Sequence, residues 1–124
     1  MQECNKVSDN LQDKYDGYYN ELLTIGREFA ARYKAANIIN LLPPHDSSAV
    51  YKILDCGAGE GSVVRLVEKS QICGEIYGLE ISDSAIEIAM KRQYEKLVEF
   101  KKFDGYSIDY PDGYFDVAYC THVI

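Results

Sequence analysis

Val50-Tyr51-Lys52-Ile53-Leu54-Asp55-Cys56-Gly57-Ala58-Gly59-Glu60-Gly61 begins with a largely apolar run and ends with three glycines at alternate positions. The apolar run is typical of a buried strand. The glycines allow a tight turn and let the backbone approach a ligand without obstruction from a Cβ atom. From Ser62 to about Ser70, apolar residues recur at helical spacing. The segment therefore predicts a strand, a glycine loop and a helix.

The same alternation of strand and helix continues towards the C-terminus. Strands are predicted at 75–81, 99–104 and 115–123, the last of them apolar on both faces. A helix is predicted from an N-cap at Ser82 or Asp83 to about Val98, with inward positions at Ala85, Ile86, Ala89, Met90 and Leu97. This order favours an α/β fold, with right-handed crossovers, a parallel sheet and helices on both faces.

The N-terminal third has a helical pattern from Leu11 to about Leu42. One apolar stripe is formed by Tyr15, Tyr18, Leu22, Ile25, Phe29, Tyr33, Ala36 and Ile39. Pro43-Pro44 ends the helix, and polar residues follow as a linker. We therefore expect a helical segment at 1–46 and a core at 47–124.

Composition limits the function classes. The 124 residues suffice for one domain, and the net charge of −7 disfavours nucleic acid as a partner, because Lys and Arg supply most of that affinity. The four cysteines and two histidines show no zinc-ligand spacing, so no metal is predicted. No run approaches the roughly 18 apolar residues of a membrane span, and no signal peptide begins the chain, so we expect a cytoplasmic protein.

Two acidic residues lie beside the predicted glycine loop. Ligands of parallel α/β sheets bind at the carboxyl ends of the strands, where Asp55 precedes the loop and Glu80 nearly ends the second strand. Glu80 is placed to accept hydrogen bonds from a ribose. The third glycine comes one residue earlier than in a dinucleotide fingerprint. Asp55 would repel a pyrophosphate but suits an ammonium group, which disfavours a dinucleotide-dependent oxidoreductase.

Four motifs in order give the sequence a resemblance to a known family. Residues 53–61 resemble the first motif of the Rossmann-like methyltransferases that use S-adenosylmethionine, and 77–82 resemble the second. Phe103-Asp104-Gly105 and the segment 111–117 are similar to the third and fourth motifs of the methyltransferase-11-like branch. The resemblance implies a partial Rossmann-like sheet with strand order 3-2-1-4, a methyltransferase activity and S-adenosylmethionine as the cofactor.

The same resemblance implies roles for individual residues. Asp104 would face the adenine amino group, Gly105 would lend its amide, and Cys120 would flank the methionine end. The cofactor-binding residues implied in this way are Asp55, Gly57, Ala58, Gly59, Gly61, Glu80, Ile81, Asp104, Gly105 and Cys120. An N-terminal helix covers the cofactor in related enzymes, so the resemblance implies that the segment 1–46 is a helical lid. Tyr19 of this segment is a candidate for contact with the methionine carboxylate. No catalytic base is assigned, because a buried structural role is expected for His122.

Some alternatives stay open from the sequence. The family continues beyond the position of Ile124, so we expect a core that lacks its last strands. The fourth strand would then expose an apolar edge, which favours self-association. A small-molecule methyl acceptor is expected. The alternatives are a protein that binds S-adenosylmethionine or its demethylated product without catalysis, and an interaction module whose site binds no ligand.

Overall fold

The computed structural model describes residues 21–42 and 50–121. Its elements are α1 (Glu21–Leu41), β1 (Tyr51–Cys56), α2 (Ser62–Glu68), β2 (Cys73–Glu80), α3 (Asp83–Lys91), β3 (Leu97–Lys102) and β4 (Val117–Tyr119). None of the helices in these two ranges combines the length and apolar character that crossing a membrane requires. The predicted helical residues 11–20, the linker at 43–49 and residues 122–124 lie outside the described residues.

The four strands form one parallel sheet in the order β3-β2-β1-β4, which confirms the predicted fold class. In this register Asp55 of β1 lies between Gly78 of β2 and Tyr119 of β4. The central position of β1 places its carboxyl end, and therefore the glycine loop, in the middle of the sheet edge. This is the position at which open α/β sheets bind ligands.

The two faces of the sheet are covered differently. On the first face, Ile53 and Ile76 join a core formed with α1 and α2. On the second face, Leu54, Tyr77 and Leu79 of the sheet are covered by an aromatic cluster within the described residues. The cluster comes from the segment between β3 and β4 and consists of Phe103, Tyr110, Tyr114 and Phe115. Several ring pairs meet edge-on, as do Tyr77 and Phe115 at 5.4 Å between centroids, whereas Tyr110 and Tyr114 are stacked.

Helix α1 buries a different stripe from the predicted one. Ala31, Ala35 and Ile38 are buried, whereas the side chains of Phe29 and Tyr33 are both 75% exposed. The predicted apolar stripe that includes Phe29 and Tyr33 is therefore not the face that α1 buries. Small alanines let α1 approach α2 closely, and the larger aromatic rings lie on the solvent side. The earlier part of the predicted stripe, up to Ile25, falls on residues whose side chains the structure does not describe.

Helix α3 ends at Lys91, seven residues before the predicted end. Met90 is 66% exposed, and Leu97 is 54% exposed as the first residue of β3, so their predicted inward positions were wrong. The chain leaves the helix because Glu68 of α2 accepts hydrogen bonds from the backbone amides of Glu95 and Lys96, at 2.7 and 2.6 Å. These long-range bonds fix a turn where the local pattern predicts helix.

Candidate cofactor site

The glycine loop is shaped by three residues with positive φ angles. Gly57, Gly59 and Gly61 have φ values of 91°, 61° and 85°, which L side chains rarely adopt. The amides of Gly57 and Ala58 both donate to the Leu79 carbonyl at 2.8 Å. The loop therefore bends from the end of β1 over the end of β2, and it leads directly into α2.

Glu80 holds the loop from the β2 side. Its Oε1 accepts a hydrogen bond of 2.9 Å from the Gly59 amide, and its Oε2 accepts bonds from the amides of Ile81 and Ser82 at 3.1 and 3.2 Å. Burial raises the pKa of the Glu80 carboxyl, and the three amides counteract that shift. A carboxylate has about four acceptor positions, so one position beside the Gly59 bond is left for a ligand hydroxyl.

Asp55 is buried at the start of the loop, with only 1% of its surface exposed. Neither carboxylate oxygen has a hydrogen-bond partner among the described residues. The Tyr119 hydroxyl is close enough to favour the charged form but does not reach hydrogen-bond geometry. Burial raises the pKa of Asp55 to about 7. An unpaired buried carboxylate is costly, so this group is suited to a cationic partner.

A third acid lies in the loop itself. Glu60 is 2% exposed and accepts a hydrogen bond of 2.5 Å from the Ser62 hydroxyl. The charges of Glu60 and Glu80 both contribute to the raised pKa of Asp55, and Lys34 of α1 opposes them. Three buried carboxylates thus surround the glycine loop. Within residues 21–42 and 50–121, no three acidic, cysteine or histidine side chains are grouped as metal ligands would be.

The residues predicted for the adenine side lie next to each other. A Cβ atom on Gly105, which has a φ of 91°, would lie 3.6 Å from Cδ1 of Ile81. Asp104 is exposed, and its carboxylate accepts bonds from the amides of Tyr106 and Ser107 and from the Ser107 hydroxyl. These amides lower the pKa of Asp104. Asp104 therefore shapes its own loop, and its contact with adenine remains a prediction.

Cys120 follows β4 directly and is exposed. Its thiol faces Cys56, the residue that ends β1. Burial and, to a smaller extent, the nearby Cys120 thiol raise the pKa of Cys56 to about 11, so the Cys56 thiol is protonated at neutral pH. The register places the pair at the carboxyl edge, beside the loop that Gly57 begins. The predicted role of Cys120 as a wall at the methionine end fits this position.

Sequence reasoning missed several residues around the loop. Glu60 lay within the motif, but its burial depends on the way the loop folds onto α2 and β2. Lys34 influences Asp55 only because α1 packs on the first face of the sheet. Arg92 donates through Nε to the Glu60 carbonyl at 2.8 Å, across 32 positions of sequence. No local pattern marks Lys34 or Arg92, since both contacts are tertiary.

Comparison with known proteins decides the family. The family described as "Methyltransferase domain" matches residues 54–124, which begin at β1 and include the loop, Glu80 and the segment that contains Asp104. The chain belongs to this methyltransferase family. The resemblance carried by the four motifs is thereby confirmed, and at the level of the family so are the enzyme class and its cofactor, S-adenosylmethionine.

The individual relatives are longer than this chain. A demethylmenaquinone methyltransferase of Thermotoga maritima is 31% identical over 111 residues, which make up 90% of this chain and 44% of that protein. The chain thus spans less than half the length of this curated relative. A phosphoethanolamine N-methyltransferase of Haemonchus contortus, solved with S-adenosylhomocysteine, has a TM-score of 0.68 at 15% identity over 93% of this chain and 24% of its own.

A second solved structure has the same fold. The magnesium protoporphyrin IX methyltransferase from Synechocystis, solved with bound S-adenosylhomocysteine, gives a TM-score of 0.62 at 17% identity. The match covers 90% of this chain and 57% of that one. Such identities establish the likeness of the folds alone.

Proposed function

We propose that this chain is the cofactor-binding core of an S-adenosylmethionine-dependent methyltransferase that acts on a small molecule. The observation that carries the proposal is the Asp55 carboxylate, which is buried beside the glycine loop and has no hydrogen-bond partner in the part of the chain that the structure describes. The cofactor's amino-acid end bears an ammonium group, which would satisfy this carboxylate. Burial raises the pKa of Asp55, and an ammonium group beside it would favour the charged carboxylate.

The charge of the site supports this cofactor over a phosphate-bearing one. Asp55, Glu60 and Glu80 are 1%, 2% and 3% exposed and lie around one loop. Buried charges of the same sign interact strongly because little solvent screens them. They would repel a pyrophosphate, whereas S-adenosylmethionine carries a sulfonium and an ammonium group and no phosphate. The acids therefore favour this cofactor over a dinucleotide.

Each part of the site has a proposed role. Asp55 binds the ammonium group, the loop from Gly57 to Gly61 lets the backbone lie against the cofactor, and Glu80 accepts a ribose hydroxyl. Ile81 and Gly105 flank the adenine, Asp104 shapes the loop beside it, and Cys120 borders the methionine end. When bound, the cofactor supplies an electrophilic methyl group. The residues here orient it and exclude water, which is how positioning lowers an activation barrier.

The division into residues 1–46 and 47–124 is part of the same proposal. Helix α1 packs on α2 through Ala31 and Ala35, and its Lys34 acts on Asp55 electrostatically. An N-terminal segment so placed can cover the methionine end of the cofactor. The role of Tyr19 belongs to this proposal too, although that residue lies outside the described residues.

A small organic methyl acceptor is consistent with the net charge of the chain and with the names of similar proteins. The net charge of −7 disfavours polyanions. The names of two relatives, a demethylmenaquinone methyltransferase and a magnesium protoporphyrin IX methyltransferase, indicate small organic acceptors for those proteins.

We also propose self-association along β4, which pairs only with β1 within the described residues. Analytical ultracentrifugation tests this, and a monomer at all concentrations would contradict it.

Calorimetric titration tests the cofactor proposal. We expect the chain to bind S-adenosylmethionine and S-adenosylhomocysteine but not NAD. Asp55→Asn keeps the shape and removes the charge, so it should weaken S-adenosylmethionine binding by about tenfold or more. Glu75→Asn, on β2 but distant from the loop, is the control and should bind normally. Binding of NAD, or equal affinity in Asp55→Asn, would overturn the proposal.

Activity separates an enzyme from a binding protein. The chain is incubated with S-adenosylmethionine carrying a labelled methyl group and a panel of quinols, porphyrins and amino alcohols. Transfer of label that Asp55→Asn reduces would support the methyltransferase. Cofactor binding with no transfer to any acceptor, by this chain or a longer form, would favour the alternative of a binding protein without catalysis.

A further inference from the structure

Arg92 holds the outer side of the glycine loop. It follows α3 as its C-cap, and its Nε donates to the carbonyl oxygen of Glu60 at 2.8 Å. Its Nη1 lies 2.7 Å from Oε1 of Glu28 on α1. One guanidinium therefore contacts the loop, the N-terminal helix and the end of α3. The Arg92 side chain is only 12% exposed, which limits competition from water.

Arg92 contacts the loop at the backbone of Glu60. Glu60 lies between Gly59 and Gly61. Both glycines have the positive φ angles that this turn requires, and glycine adopts such angles without strain. On the inner side the loop is held by amides that donate to Leu79 and to Glu80. On the outer side the Glu60 carbonyl is held by Arg92. The two sets of bonds together fix the peptide planes that face the cofactor.

Charge gives Arg92 a second effect at this position. The loop buries the carboxylates of Asp55, Glu60 and Glu80, which repel one another. A cation that donates to the loop backbone offsets part of this repulsion without occupying the cofactor position. Arginine suits the task because its guanidinium is permanently charged and donates from several fixed N–H groups at once.

We propose that Arg92 is a positioning residue that preorganises the glycine loop for S-adenosylmethionine and couples it to α1. It acts through Glu60 and does not touch the cofactor. The inference rests on the proposed function, since it assigns the loop to this cofactor. Preorganisation raises affinity because the ordering of the loop no longer has to occur on binding.

The two contacts of Arg92 should contribute unequally. A hydrogen bond from a charged donor to a carbonyl is among the stronger kinds, and this one is sheltered. Glu28 is 41% exposed, and ion pairs at such positions contribute little. Arg92→Lys keeps the charge but loses the planar Nε donor, whereas Glu28→Gln loses the ion pair and keeps the loop bond. These variants separate the two contacts.

Titration with S-adenosylmethionine and S-adenosylhomocysteine is the first measurement. We expect Arg92→Gln and Arg92→Lys to weaken both affinities by about tenfold, as the loss of a sheltered charged hydrogen bond implies. Glu28→Gln should change them by less than about threefold. Tyr94→Phe, which removes a bond to the Ala89 carbonyl near the loop, is a control for general loss of packing. Unchanged affinity in Arg92→Gln would overturn the proposal.

Amide hydrogen exchange on the ligand-free chain tests the loop itself. The Gly59 and Gly61 amides are bonded to Glu80 and to the Ala58 carbonyl, so both should be protected. Arg92→Gln should speed their exchange about tenfold and leave β1 unchanged. Unaltered exchange would overturn the inference whether or not the cofactor binds. If exchange is faster in Arg92→Gln but the wild-type chain binds no cofactor, the proposed function is refuted and Arg92 is a purely structural residue.

Discussion

The Gly59 amide donates to the Glu80 carboxylate at 2.9 Å, across 21 positions of sequence. This bond joins the middle of the glycine loop to the end of β2, so the acid proposed to bind ribose also holds the loop that supports the cofactor. Loop conformation and ribose binding are therefore coupled through one side chain. The coupling follows from the neighbouring positions of β1 and β2 in the sheet.

Replacement of Glu80 should affect stability as well as binding. In Glu80→Gln the new amide group faces backbone N–H groups, so at least one of the three bonds is lost. We expect the free energy of unfolding to fall by about 1–3 kcal/mol, measured by urea titration. Glu75→Gln on the same strand, whose carboxylate is partly exposed, should cost less than about 1 kcal/mol. Equal losses in the two variants would contradict the prediction.

Asp55 should make the stability of the ligand-free chain depend on pH. Its pKa is about 7 in the folded chain against 3.8 as the ordinary value, so between these values the folded state retains a proton that the unfolded state has lost. The contribution of Asp55 to stability is therefore full below the ordinary pKa and is lost as the pH rises through about 7. Asp55→Asn should flatten this decline.

Urea unfolding at several pH values from about 5 to 8 measures the effect, because this window contains the titration of the folded form. Burial also raises the pKa of Glu80, so Glu80 adds its own decline of stability with rising pH. The Asp55→Asn variant keeps Glu80 and should therefore keep this part of the decline. Affinity for S-adenosylmethionine should rise over the same window as Asp55 becomes charged. Parallel stability profiles for the wild type and Asp55→Asn would refute the assignment.

Gly61→Ala should destabilise the chain for two reasons that a control can separate. Gly61 has a φ of 85°, and a Cβ atom there would lie 2.9 Å from Oη of Tyr94 and 3.0 Å from Cβ of Ala89. Gly113 has a φ of 72° with no atom within 4 Å of the corresponding position. Gly113→Ala should cost about 1–2 kcal/mol from backbone strain alone. Thermal unfolding should show a larger loss for Gly61→Ala, and equal losses would exclude the steric part.

Glu68 should be essential for the turn that follows α3. It is fully buried, and its Oε1 accepts from the amides of Glu95 and Lys96. Glu68→Ala leaves the amides of Glu95 and Lys96 without this acceptor, with an expected loss of about 1–3 kcal/mol of unfolding free energy. Glu68→Gln retains an acceptor oxygen and should lose clearly less. Chemical denaturation compares the two, and equal losses would contradict the prediction, because Gln keeps both the volume of Glu68 and an acceptor oxygen.

Local patterns were sufficient for much of the fold and of the candidate site. The strand that ends at Cys56, the glycine loop and the acid at the end of β2 were placed correctly, because short-range rules of strand pattern and glycine geometry govern them. The parallel sheet order followed from the alternation of strands and helices together with the family resemblance. The end of α3 was wrong, because Glu68 overrides the local preference from 27 positions away.

The sequence by itself determined the order of the elements, the glycine turn and the acids at the sheet edge, since these depend on backbone geometry over a few residues. Only the tertiary structure decided which side of α1 is buried, because helical spacing fits both its aromatic stripe and the smaller stripe of Ala31, Ala35 and Ile38. It also decided that Asp55 is buried with no hydrogen bond from any described residue, and that Arg92 contacts Glu60. Burial and long-range hydrogen bonds arise only when distant segments pack together, so no periodicity along the chain can reveal them.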